Sequence, residues 1–259
     1  MTTITISREP ASGWNGAALL GWYTFWKNLT NPFSIGFAIL LPIGMYFMFG
    51  TGQSYSDIWT VNGNVAATVL VSMTLYGVFL TVASLATNTA LERTSGISRL
   101  YATTPLSPLA NTCARICASM GIAVVVTAIT YGVGAATGAK MDASAWIQTP
   151  LLILASSILA SAQGLAVAFA VRSDGAFAAS SAITVFSGFL SGMFIPINQM
   201  GSFFQTIAPY APMYGIVNLT LLPVYGWETF KWSYVANLVA WILFFVLLAA
   251  WAQRRDTAR

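Results

Sequence analysis

Six long stretches without a charged residue alternate with short polar breaks along the 259-residue chain. They lie at 28–56, 58–91, 116–139, 143–171, 175–227 and 232–253. Apolar positions within them run continuously rather than alternating, which points to helices surrounded by lipid or protein and not to half-buried strands. A helix needs about 20 residues to cross a bilayer. Five of the runs therefore hold one span each, the first centred on 32–49. The run at 175–227 is long enough for two.

Charge asymmetry decides how that long run is divided. One span ending near Phe194 gives six crossings and puts both termini on one side. That side then receives Arg8, Lys27, Arg93, Arg99, Arg115, Arg172, Arg254, Arg255 and Arg259, and the other side only Lys140 and Lys231. Nine cations against two is the bias expected of cytoplasmic loops. A seventh span would carry the Arg254/Arg255/Arg259 tail outside. Pro196, Pro209, Pro212 and Pro223 also cut the second half of the run into pieces too short to cross. Residues 195–232 are thus expected to form an external segment that dips into the membrane and returns, tolerable only where protein or water covers its backbone.

Ahead of the first span, residues 13–29 interleave Trp14, Trp22, Phe25 and Trp26 with Asn15, Lys27 and Asn28. Such mixing predicts a helix lying at the membrane interface; the alternative is the beginning of a long tilted first span. Residues 1–12 read as a cytoplasmic tail. With Arg8 and Glu9 in it, and no small-residue cleavage site after a short apolar core, the N-terminus is not expected to be a cleaved signal.

Composition fixes the class. The chain is 57% hydrophobic and 7% charged, whereas soluble domains carry about 25% charged residues. A β-barrel would need alternating strands of about 10 residues. The expectation is an all-α membrane protein: six transmembrane helices, an N-terminal interfacial amphipathic helix, and an external re-entrant segment between helices five and six. The scattered cations form no basic patch, so no nucleic-acid partner is implied. With no histidine, metal and imidazole chemistry are not expected. Cys113 and Cys117, four apart on one helix, have poor geometry for a disulfide and read as small packing residues.

Inside the spans, small and hydroxyl residues are ordered. Thr74, Gly77, Thr81, Ser84 and Asn88 recur in the second at steps of three and four, as do Ser180, Thr184, Ser187 and Ser191 in the fifth. Gly188-x-x-x-Gly192 lies beside the latter, and Gly134-x-x-x-Gly138 closes the third. These stripes suit close helix packing; the alternative is the semi-polar wall of a translocation path. Gln163, the most polar side chain near the middle of the fourth span, is expected to bond a neighbouring helix.

What the chain lacks is also informative. It has no Gly-x-x-x-x-Gly-Lys-Ser/Thr phosphate loop and no carboxylate within a span of the kind proton-coupled transporters use. Active transport by this chain would draw its energy from a partner. The polar island between the second and third spans, residues 92–105, is where that energy could enter. Glu92, Arg93, Gly96, Leu100, Thr104 and Pro105 resemble the signature between the second and third helices of ABC-2 type transporter permeases. Ser191-Gly192-Met193-Phe194-Ile195-Pro196, followed by Ala208-Pro209-Tyr210-Ala211-Pro212, is similar to that family's fifth-helix exit and external re-entrant segment. Where many members carry a Pro-Trp-like pair after the fifth helix, this chain has Met200-Gly201-Ser202-Phe203.

The resemblance implies a single ABC-2 type transmembrane domain over 13–259, with no catalytic residue and no metal or cofactor of its own. Two copies would pair with two subunits of an ABC-type ATPase that bind ATP and Mg, in the cytoplasmic (inner) membrane. Glu92, Arg93, Gly96, Arg99, Leu100 and Pro105 would form the coupling loop. Phe194, Pro196, Pro209 and Pro212 would form an external gate. The leading expectation is an exporter of the drug- or antibiotic-efflux kind, moving amphipathic or hydrophobic compounds, with membrane lipid around it. Met73, Phe79, Phe186, Phe189 and Met193 are candidates to line the path, since Met and Phe adapt to varied shapes. The alternatives are export of a lipid-linked polysaccharide, or a membrane sensor without transport.

Overall fold

The computed structural model describes residues 13–94, 106–171 and 175–257. The expected tail at 1–12, and Gly96, Arg99, Leu100 and Pro105 of the expected coupling loop, lie outside the described residues. The helices are α1 (Ala17–Leu29), α2 (Pro32–Phe49), α3 (Val65–Thr94), α4 (Pro108–Ala136), α5 (Ala143–Ala170), α6 (Gly175–Leu190), α7 (Ser202–Ile207), α8 (Tyr214–Tyr225) and α9 (Trp232–Thr257). No strand occurs among the described residues.

By length and composition, α3, α4, α5 and α9 can each cross a membrane, and the count rises to as many as six when bent helix pairs are included. The first pair is α1 and α2, which meet at 61°. That bend separates the aromatic N-terminal helix from the first apolar one. Helix α6 has 16 residues and rises only about 24 Å. It stops at Gly192, whose φ of 78° is a left-handed conformation that glycine adopts without strain. The second pair is α7 and α8, with the short 3₁₀ turn Ala208–Tyr210 between them, bent by 97°. Their lengths of about 9 and 18 Å are each too short to cross alone. Residues of α7 are exposed, whereas α8 buries Ile216, Val217, Leu221 and Val224.

Helix α3 is the hub. It packs on α2, α4, α5, α6 and α8, and 72% of its most apolar stretch is buried, against 11% for α9. Its tightest seam is with α5. A Cβ on Gly164 would run into the Ala83 carbonyl oxygen and press on Ala86. The Thr87 hydroxyl there is shared between the carbonyls of Ala83 (2.8 Å) and Gly164 (3.3 Å). Gly77 similarly admits Pro42 of α2, and Gly134 admits Leu70 of α3. In both Gly-x-x-x-Gly motifs only the first glycine is a contact within a helix. Gly138 (φ 106°) and Gly192 turn the chain out of α4 and α6, so these motifs are helix endings as much as packing faces.

Two asparagines tie the irregular segments down. Asn64 receives the amides of Ala67 (2.9 Å) and Lys140 (3.0 Å) on its Oδ1 and donates its Nδ2 to the Gly138 carbonyl (2.9 Å). Asn62 donates its side chain to Pro223 (3.0 Å) and its backbone amide to Val224 (2.9 Å). One loop therefore joins the start of α3, the α4–α5 turn and the end of α8. At the other end of α8, Asn237 of α9 donates to the carbonyls of Pro209 (2.9 Å) and Ala211 (3.1 Å) and accepts from the Gly215 amide (2.9 Å). Trp241 adds a bond to the Tyr210 carbonyl (3.1 Å). The backbone groups freed by the 97° bend are satisfied by α9, as a segment at membrane depth needs.

Gly164→Leu is expected to lower stability by about 3 kcal/mol, the upper end of overpacking costs. Gly36→Ala, where nothing lies within 4 Å, should be neutral or slightly stabilising because alanine favours a helix. Thermal unfolding of the detergent-purified variants measures both.

Candidate functional site

Glu92 and Arg115 close one end of the bundle. Glu92 lies in the last turn of α3, and Arg115 in the second turn of α4, whose start is capped by Ser107 accepting from the Ala110 amide (3.2 Å). The two side chains meet as a fork: Nη1 to Oε1 at 2.8 Å and Nη2 to Oε2 at 2.7 Å. Arg115 Nε also donates to Asn111 Oδ1 at 2.9 Å. The side chains are 22% and 15% exposed. This parallel two-bond geometry is the strong form of a charge-assisted contact, and its burial raises it above the near-zero value of a surface pair. It straddles residues 95–105 and locks the two helices that flank them. Arg93 follows Glu92 in the same final turn of α3.

Beside the ion pair is a cavity of about 330 Å³, bounded by Tyr23, Lys27 and Asn28 of α1, Asn88 and Glu92 of α3, and Arg115 and Ser119 of α4. A second cavity, of about 440 Å³, runs between α2, α3 and α6. The two share Asn28, Asn31, Leu85 and Asn88, so they form one cleft with a charged end and a less polar interior. Phe37 and Leu41 of α2, Leu80 of α3 and Phe177 of α6 supply the interior's apolar walls.

The hydroxyl stripe of α3 explains the interior's polarity. Gly77, Thr81, Ser84 and Asn88 form one of its walls. Thr74, the stripe's first member, is fully buried and donates back to the Leu70 carbonyl at 2.7 Å. Thr130, Thr149 and Thr220 make the same backward bond at 2.6–2.7 Å. Among the described residues the half-buried side chains of Thr81, Ser84 and Asn88 have no such partner. The α6 stripe behaves differently. Ser180, Thr184, Ser187 and Ser191 are buried, and Gln163 donates to Thr184 Oγ1 at 2.8 Å. That stripe packs helices, and Gln163 bonds its neighbour as its position implied.

The aromatic and methionine residues proposed for the path do not line this cleft. Met73, Phe79 and Met193 are buried in the core. Phe186 and Phe189 are 70% and 47% exposed on α6. Phe194 stacks between Phe189 (4.7 Å) and Tyr76 (5.0 Å) at the opposite end from Glu92. Pro196 precedes a 3₁₀ turn, and Pro209 and Pro212 flank the α7–α8 bend. Sequence reasoning missed Lys27, Asn31, Phe177 and Ser181 as cleft residues and Arg115 as the partner of Glu92. The usable signal for the α6 wall was Phe177/Ser181, four apart and beside the buried serine stripe.

Residues 60–251, α3 through most of α9 with the Glu92–Arg115 pair, match the family model described as ABC-2 family transporter protein. The chain belongs to the ABC-2 transporter family. It is also 23% identical over 238 residues to the protein named "Putative transport permease YvfS" of Bacillus subtilis (strain 168), covering 89% of this chain and 94% of that one. The protein is thus a multi-pass membrane permease, the transport subunit rather than the ATPase, and membership in the family implies an ABC-type ATPase partner. The sequence signature at 92–105 is in accord with the family match.

Glu92→Gln and Arg115→Gln are each expected to destabilise the permease by about 2–3 kcal/mol, because each leaves the other charge poorly paired in a half-buried site. The double variant should cost less than the sum by about 1–2 kcal/mol. A double-mutant cycle on thermal unfolding reads the coupling.

Proposed function

We propose that this permease exports amphipathic or hydrophobic compounds, driven by a separate ATPase. Two copies of the chain pair with two ATPase subunits, which carry the ATP and Mg. The reading is supported chiefly by the cleft: a charged end adjoins a half-polar, half-apolar interior in which Thr81, Ser84 and Asn88 have no hydrogen-bond partner among the described residues. A volume of about 440 Å³ falls within the range of sites for one drug-sized molecule.

In this reading both termini and the Glu92–Arg115 end face the cytoplasm in the inner membrane, in line with the nine-to-two charge bias. The segment with Glu92, Arg93, Gly96, Arg99, Leu100 and Pro105 docks on the ATPase. Force applied there reaches α3 and α4 together, because the ion pair makes them one lever. Helix α3 also forms the cleft wall, so moving it changes the cleft's width. Phe194, Pro196, Pro209 and Pro212 belong to the gate at the far side, where a bent segment fastened by side chains of α9 can shift without unfolding a full span.

Reconstitution of the permease with its ATPase tests this against a panel of cationic, neutral and anionic amphiphiles. ATP-dependent movement of at least one is expected. Ser84→Leu, which fills the cleft wall, should slow it about tenfold, equivalent to about 1.4 kcal/mol. No ATP-dependent movement of any compound overturns the exporter reading.

A further inference from the structure

Taking the cleft as the substrate site, as proposed above, we infer that it selects amphiphiles with an anionic headgroup, a phosphate or a carboxylate, and that Lys27 with Asn88 receives that group.

Among the described residues, three ionised side chains line the two joined cavities: Lys27, Glu92 and Arg115. Both carboxylate oxygens of Glu92 are taken by Arg115, at 2.8 and 2.7 Å, and that pair sums to zero. Lys27 makes no ion pair among the described residues. It lies in the last turn of α1, where the helix dipole favours a cation. Among the described residues, a cationic headgroup entering the cleft would find no uncommitted carboxylate. An anionic one meets an ammonium group that can follow it as a flexible point charge.

Hydrogen-bond capacity points the same way. Asn88 sits where the two cavities join, and its amide can donate two N–H groups. One turn and two turns farther in, Ser84 and Thr81 offer hydroxyls at i−4 and i−7 on the same face. Phe37, Leu41, Leu80 and Phe177 form the apolar walls around them. A charge at one end, donors along one wall and apolar surface facing them suit an anionic head, its linker and a hydrocarbon tail. Such a ligand could be an anionic lipid drawn from the bilayer or a free single-chain amphiphile.

The test is binding to the full-length purified permease, by competition with a fluorescent alkyl phosphate. Dodecyl phosphate is expected to bind at least about tenfold more tightly than dodecyltrimethylammonium, the scale of one hydrogen bond to a charged group. Lys27→Gln should abolish that preference, Lys27→Arg should keep it, and Asn88→Leu should weaken dodecyl phosphate binding several-fold. Equal affinity for the two probes, or a preference that survives Lys27→Gln, overturns the assignment. In phosphatidylcholine nanodiscs, displacement of the probe by added phosphatidylglycerol supports the assignment and identifies a bilayer lipid as occupant; charge-selective binding that phosphatidylglycerol leaves untouched supports it for a free amphiphile. The two readings separate cleanly. Charge-selective binding without ATP-driven movement sinks export alone, whereas ATP-driven movement without charge preference sinks the headgroup assignment alone.

Discussion

A polar group inside a bilayer has no water to turn to, so it must find a partner within the protein or lose several kcal/mol. Most of the architecture can be read as the answer to that requirement. The α7–α8 bend breaks the helical ladder at membrane depth, and Asn237 with Trp241 restores its bonds from α9. The loop at the start of α3 is irregular, and Asn62 and Asn64 fasten it to two other segments. Thr74, Thr87, Thr130, Thr149 and Thr220 donate back to their own helices. Thr127, Ser157, Ser161, Gln163 and Ser180 each keep one sealed atom without a protein partner, and these lie where helices pack. Thr81, Ser84 and Asn88 differ because they are half-open and face a cleft.

That difference connects the fold to transport. A hydroxyl that bonds its own helix presents lipid or neighbour with a hydrocarbon surface. One that does not is still available to something that enters. The same helix carries both kinds, Thr74 and Thr87 on buried faces and Thr81 and Ser84 on the cleft. Helix α3 thereby joins three tasks in one rigid element: the packed seam with α5, the cleft wall, and at its end the carboxylate locked to α4.

The all-α class, the long apolar helices and the breaks between them were legible in the sequence because each rests on a one-dimensional signal: a charge-free run, interleaved aromatics, clustered prolines. The α3 stripe was visible too, but not its role, since packing and cleft-lining stripes share one spacing. Ser180/Thr184 and Thr81/Ser84 look alike along the chain. Only the position of α5 against one and of open space beside the other separates them. Arg115 was placed with the polar island, yet its pairing with Glu92 depends on how the ends of α3 and α4 converge. The choice of Met and Phe for the path followed adaptability of side chains, whereas the cleft is lined by whichever residues α2 and α6 turn toward α3.

The Glu92–Arg115 fork constrains how any force entering at residues 92–105 can be used. Were α3 and α4 free to move separately, a push on their connection could be absorbed by splaying their ends. The two-bond contact, reinforced by Asn111, removes that freedom, because splaying would expose a half-buried charge pair. Motion must then pass along the helices. Helix α4 is held at its far end through the Asn64 bond to Gly138, and α3 by the same asparagine loop. A pair of helices pinned at one end and driven at the other can tilt, and tilt widens or narrows whatever lies against the free flank of α3. That flank is the cleft, so in the proposed reading the fork carries force from residues 92–105 to the cleft.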